Sequence, residues 1–179
     1  NALAVAALDA PATWPEGKML LIGPAGSGKT HLALVWAAQS GAAVLSARDL
    51  AGTDLPDAGS LVLEDADMVA GQTELETALF HLHNHMISRK GRLLLTASRP
   101  PRDWGLRLPD LMSRMEATAT ATLLPPDDAL LGVILVKLFA DRQLQVSPDL
   151  IPWLVGRIDG SFATARAIVE ALDAAALAS

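Results

Sequence analysis

The stretch Gly23-Pro24-Ala25-Gly26-Ser27-Gly28-Lys29-Thr30 has the residue types and spacing of a phosphate cradle. It fits G-x-x-x-x-G-K-[ST] at every fixed position, with the apolar run KMLLI before it and the helical pattern KTHLALVWAAQS after it. Each part has a chemical reason. Glycines let backbone N–H groups turn inward on an anion, and a helix N-terminus adds the positive end of its dipole. Lys29 can reach the β- and γ-phosphates, and the Thr30 hydroxyl can ligate magnesium. Pro24, Ala25, Gly26, Ser27 and Gly28 form the loop itself. The expected ligand is ATP or ADP with Mg²⁺.

A phosphate loop of this kind needs an acidic strand end to hold the magnesium and polarise a water. LVLEDAD, residues 61–67, supplies Glu64, Asp65 and Asp67. The usual order is an Asp followed by a second acid, and here the first acid is Glu64. Its extra methylene moves the carboxylate outward, which the octahedral Mg²⁺ shell tolerates poorly. Glu64 takes the magnesium role in this reading and Asp65 the activation of water, so slow ATP turnover is expected. Solvated carboxylates after a strand are the plain alternative. Thr96 and Ser98, at the end of RLLLTAS, lie where a polar side chain can touch the γ-phosphate or the attacking water, though both are also ordinary strand-end residues.

Arg99, Arg102, Arg107 and Arg114 crowd into residues 98–115 of a chain with 14 basic and 20 acidic residues. Pro100, Pro101 and Pro109 break that segment, so the four share no continuous helical face. The first three suit solvated loop charges or partners of Asp103 and Asp110. Arg114 sits on a short helical stretch, LPDLMSRM, just before the last strand. In ring or filament ATPases an arginine so placed points into a neighbour's nucleotide, where it contributes about 10³ to 10⁵ in rate.

The elements that must position these groups alternate. KMLLI, AAVLS, SLVLE, RLLLTAS and ATATATLL read as short buried strands, with helices between them. Thr73 with Glu76 has the spacing of a capping box ahead of a leucine stripe. The pattern predicts an α/β fold with a mostly parallel five-stranded sheet. From Pro125 the chain turns helical, with starts at Asp127-Asp128, Ser147-Pro148-Asp149 and Ser161. The division expected is a core over residues 1–124 and a three-helix unit over 125–179.

Composition narrows the field. At 51% hydrophobic and 19% charged the chain is globular, and a net charge of −6 repels nucleic acid overall. There is no cysteine, which removes disulfides, thiolate zinc and a cysteine nucleophile and suits a cytoplasmic location. The longest apolar run, ALLGVILV, is too short to cross a membrane. His81 and His85 share a helix face without a third ligand in the sequence nearby, and the four tryptophans are scattered rather than grouped as a base-stacking platform.

GPAGSGKTHLA, LVLEDAD, LLLTASRPPRDWGLRLPDLMSRM and the helical tail together resemble the DnaA branch of the AAA+ ATPases. TASRPPRDW with LPDLMSRM is especially similar to its regulatory Hda-type paralogues. The resemblance spans nearly the whole chain and implies an AAA+ P-loop core followed by a three-helix lid. It matches Gly23, Gly28, Lys29 and Thr30 to the phosphate loop, Glu64 and Asp65 to the acidic strand end, and Ser98 to a sensor position where the family usually has Asp. It matches Arg114 to the arginine finger and Arg166 to the lid arginine that senses nucleotide in cis. Glu64 and Ser98 depart from the family pattern, and both departures suit a nucleotide switch better than a fast ATPase.

The function implied is regulation of bacterial DNA replication initiation, by stimulating ATP hydrolysis on a DnaA-type initiator. The sliding clamp is a further implied partner, through an N-terminal motif not visible in this chain, and self-assembly is left open. NALAVAAL matches the family's first core helix, so a segment upstream of Asn1 is expected. No DNA-binding domain follows the lid, so direct sequence-specific DNA binding is not expected. An AAA+ adaptor akin to a helicase loader is the alternative function. A small P-loop kinase is a third, though such enzymes carry their mobile arginines in a lid inserted within the core.

Overall fold

A computed structural model describes residues 1–158 and 160–177. The chain separates into two compact units, one of Asn1–Gly23 with Lys29–Leu123, the other of Pro24–Gly28 with the residues from Leu124 onward.

The first unit is an α/β layer structure. Its strands are β1 (Lys18–Ile22), β2 (Ala43–Ser46), β3 (Ser60–Glu64), β4 (Arg92–Ala97) and β5 (Thr120–Thr122), in spatial order β2-β3-β4-β1-β5. Every pairing is parallel. The helices are α1 (Ala2–Asp9), α2 (Lys29–Ser40), α3 (Thr73–Ser88) and α4 (Pro109–Glu116). Alternate residues of a strand face opposite sides of the sheet, and the cores divide accordingly. Leu20, Leu61, Leu63, Leu93 and Leu95 pack with α3 and α4, whereas Met19, Leu21, Val62 and Leu94 pack with α1 and α2. In the second of these cores the Trp14 and Trp36 rings lie 5.1 Å apart, so two tryptophans distant in sequence form one buried pair.

The structure trims or moves several expected boundaries. The fifth strand covers only Thr120–Thr122 of the run at 117–124. The capping box at Thr73 does not form: Gln72 is the N-cap of α3 without a side-chain cap bond, and the Glu76 carboxylate is taken by backbone N–H groups of other segments.

The second unit holds α5 (Asp128–Asp141), α6 (Leu150–Val155) and α7 (Phe162–Leu177) around Leu131, Leu135, Phe139, Leu154, Ala165 and Val169. Asp127 caps α5 by accepting from the Leu130 N–H at 2.8 Å. Ser161 caps α7 by accepting from Thr164 N–H at 3.0 Å. The helix expected at Ser147-Pro148 starts later, at Leu150, because Ser147 instead closes a turn with Asp149 N–H and Leu150 N–H. Among the described residues no helix is long and apolar enough to cross a membrane.

One buried polar pair ties the sheet to α3. Lys18 Nζ lies 2.9 Å from His83 Nε2, with both residues buried, and 2.7 Å from the Glu16 carboxylate. Burial, and then the Lys18 charge, pull the His83 pKa down to about 4, against a weak bond to Asn84. As pH falls below the ordinary histidine value of about 6.5, the unfolded chain takes up a proton that folded His83 refuses until about 4. Stability is therefore lost as pH falls across that window, by on the order of 2–3 kcal/mol. Urea denaturation of wild type and His83→Gln between pH 7 and 4 checks this: the difference between the two should shrink toward pH 4. A difference that stays constant removes the argument.

Candidate phosphate-binding site

The parallel register brings three strand ends side by side. Leu21 pairs with Thr96 and Ile22 with Ala97, while Leu63 pairs with Leu95. Gly23, Glu64–Asp65 and Ala97–Ser98 thus leave the sheet together, at the carboxyl edge where open α/β sheets place their ligands. Gly23 N–H donates to Ala97 O at 3.1 Å, which fixes the first residue of the glycine loop to the neighbouring strand.

Lys29, the first residue of α2, is buried and donates to Gly23 O at 2.6 Å. Burial pulls its pKa below the ordinary lysine value, and Asp65, Asp67 and Glu64 oppose that pull. The ammonium and the acidic strand end therefore share one electrostatic environment. Thr30 follows it, exposed.

Thr96 is the hub of the acidic end. It is buried, accepts from Asp65 N–H at 3.0 Å and donates weakly to Glu64 at 3.4 Å. Asp65 has φ +56 and is exposed, held in the left-handed region by that bond at the start of a short 3₁₀ turn, Ala66–Val69. Asp67, which the sequence names without a role, is buried and accepts from both the backbone N–H, at 3.2 Å, and the hydroxyl of Ser98. Arg99 Nε approaches the same carboxylate oxygen at 4.0 Å. Glu64, Asp65, Thr96, Ser98 and Lys29 are thus brought into one region of the first unit, with Asp67 added to them. The sequence placed Thr96 and Ser98 together at the strand end, whereas nothing local pairs Asp67 with a residue 31 positions away.

The loop Pro24–Gly28 has its own support in the second unit. Gly26 and Gly28 have φ of +75 and +93, a region that glycine enters without cost. Ser27 N–H closes a turn on Pro24 O at 3.2 Å, and Phe162 N–H, at the start of α7, donates to Gly26 O at 3.0 Å. Ser27 Oγ is buried with no hydrogen-bond partner among the described residues. A buried hydroxyl without a partner is costly, and an oxyanion would relieve it. The residues present therefore fit a nucleotide phosphate. Arg166 is exposed on α7.

Arg114 belongs elsewhere. It lies in the last turn of α4, half-buried, with its guanidinium 5.0 Å from the centre of the Phe80 ring. Among the described residues it has no carboxylate within 4.0 Å. Its charge does reach Glu16 and His83, lowering the pKa of both as a lesser cause. Those groups surround Lys18, at the opposite end of β1 from Gly23.

No family model matches the chain. Solved structures do. A DNA replication initiation factor superposes with a TM-score of 0.80 at 17% identity, over 96% of this chain and 59% of that one. Domain III of the Thermotoga maritima replication initiation protein DnaA gives 0.79 at 18% identity, over 93% and 78%. Replication initiator DnaA bound to AMPPCP and single-stranded DNA gives 0.76 at 19% identity, over 95% and 59%. The chain spans about three fifths of the first and third of these. It has the α/β AAA+ fold of the DnaA AAA+ domains.

Proposed function

We propose that this chain is a nucleotide-binding AAA+ regulator of DNA replication initiation, of the Hda type, that stimulates ATP hydrolysis on a DnaA-type initiator by offering Arg114 in trans. In this reading residues 1–124 are the nucleotide-binding core and 125–179 the lid. The observation that carries it is the position of Arg114. It acts electrostatically on groups at the far end of β1 from the phosphate loop, and five residues of strand span about 16 Å. An arginine there serves a phosphate held by another molecule better than one held by its own loop. Among the described residues no carboxylate pairs with it, and an aromatic face supports it.

The loop Gly23–Gly28 with Lys29 would hold ATP or ADP, as the fold's DnaA relative holds AMPPCP. Thr30 and Glu64 would hold Mg²⁺, which neutralises charge on the phosphate oxygens. Asp65 would orient water, Ser98 would contact the terminal phosphate, and Arg166 would report on the nucleotide from the lid. Asp67 engages the Ser98 hydroxyl as its acceptor, and among the described residues Glu64 is held only by a long bond from Thr96, so intrinsic turnover is slow.

One observation favours the alternative of an adaptor without a catalytic part. The helical unit exposes Leu130, Val133 and Val136 beside a groove of about 550 Å³ floored by Gly132 and walled by Ile151, Pro152 and Val155. One experiment decides between them. ATP turnover is followed for the chain alone, for a DnaA-type initiator alone, and for the two with clamp-loaded DNA. The regulator reading expects slow turnover by each alone and acceleration of the initiator in the mixture. Nucleotide binding without acceleration rejects it for the adaptor, and rapid turnover by the chain alone rejects the role given to Glu64.

A further inference from the structure

Glu76 is a carboxylate with no exposed surface in the first turn of α3, and nothing in the proposed chemistry uses it. Among the described residues no cation pairs with it. Backbone N–H groups hold it instead. Oε1 accepts from Gly71 at 2.8 Å, and Oε2 accepts from Arg107 and Leu108, each at 2.9 Å. A buried charge is tolerated when every lone-pair direction meets a donor, and this carboxylate uses both oxygens.

The two donors on Oε2 are the residues just before Pro109, where α4 begins. α4 is a rigid rod of 8 residues, and Arg114 lies in its last turn. Six residues of helix from Leu108 to Arg114 cover about 9 Å, so a displacement at the start tilts the rod about the contacts that hold its far end. Phe80, four residues after Glu76 on the same face of α3, supports that guanidinium. The far end of the rod is fixed by buried Leu111 and Met115 and by the Thr118 hydroxyl donating to Arg114 O at 2.8 Å.

We propose that Glu76 is a positioning residue for Arg114: its carboxylate pins the start of α4 and so sets where the guanidinium points. This rests on the reading of Arg114 given above. A glutamine cannot substitute, because its Nε2 would turn an N–H toward an N–H on one of the two sides.

The test follows initiator ATP turnover against the concentration of the full protein, for wild type, Glu76→Gln, Arg114→Ala and the double variant, with thermal unfolding and ATP binding measured on each. Glu76→Gln is expected to bind ATP normally and to lower maximal stimulation about 10- to 100-fold, the scale on which ångström misplacements act. The half-saturating concentration should move less than about threefold, which loss of docking surface would not allow. In the Arg114→Ala background Glu76→Gln should change nothing further. Full stimulation by Glu76→Gln, or a further fall in the double variant, overturns the proposal while leaving the reading of Arg114 intact. Full stimulation by Arg114→Ala overturns both. Glu76→Asp covers the case in which Glu76→Gln does not fold. It keeps the charge and shortens the reach, so amide exchange at Arg107 and Leu108 should quicken together with the loss of stimulation. Unchanged exchange with lost stimulation, or quickened exchange with full stimulation, rejects the positioning role.

Discussion

If the chain acts as the proposed regulator, Arg114→Ala is expected to leave its ATP binding unchanged and to lower hydrolysis on a DnaA-type initiator by about 10³-fold, the lower end of what an arginine finger contributes. The separation of the two effects follows from place. Arg114 perturbs Glu16 and His83, beside Lys18, whereas the phosphate loop leaves the other end of the same strand. Its removal also ends a stack on Phe80 and a favourable charge in the last turn of α4, each about 0.3–1 kcal/mol. The fold absorbs such losses. Arg114→Lys should not restore activity, because an ammonium offers neither the planar fork nor the stacked face. Single-turnover hydrolysis of ATP preloaded on the initiator reads this directly. Stimulation that survives Arg114→Ala would remove the finger and leave the chain as a binding protein.

Lys29→Met should weaken binding of ATP with magnesium by about 10²-fold, since a charge-assisted bond to phosphate contributes about 1.5–3 kcal/mol and the lysine is a close one. The structure adds a second expectation. Lys29 offsets the field of Asp65, Asp67 and Glu64 and donates to Gly23 O, so the variant loses both at once. Glu64 and Asp65 are then left without the Lys29 charge, and Asp67 with only the distant Arg99, so repulsion of an incoming triphosphate adds to the lost bond. Titration calorimetry, with and without 0.5 M salt as an order-of-magnitude screen of about a few ångströms, checks both parts. Affinity within about threefold of wild type would mean that GPAGSGKT binds no phosphate.

The glycine loop after β1, the acidic end of β3 and the α/β alternation were legible because each is written in contiguous residues. A strand of five apolar residues or a glycine motif carries its own signal. Strand order was not, since nothing within KMLLI says that its neighbours are β4 and β5. The capping box failed for a related reason. Thr73 and Glu76 have the right spacing, but Arg107 and Leu108, more than 30 positions on, compete for the carboxylate and win. Asp67 shows the same limit, as its partner Ser98 comes from the next strand. Trp104 looked like one of four scattered aromatics, yet it is buried and its ring N–H donates to Arg99 O at 2.7 Å, pinning the arginine-rich loop. Long-range polar pairs, rather than propensities, were what the linear sequence concealed.

Gly26 occupies one of the freely variable positions of the G-x-x-x-x-G-K-T pattern, so the motif alone permits any residue there. The fold does not. A Cβ built on Gly26 would come within 2.3 Å of the Ser161 Cβ, at a φ of +75 that other residues rarely adopt. Position 26 is thereby bound to position 161, which lies 135 residues away by the numbering and caps α7. A homologue that keeps this geometry keeps glycine at position 26, and one that lacks it there needs both a different loop conformation and a shifted helix start. A swap of the helical tail between relatives would have to carry the glycine loop's fourth residue along with it.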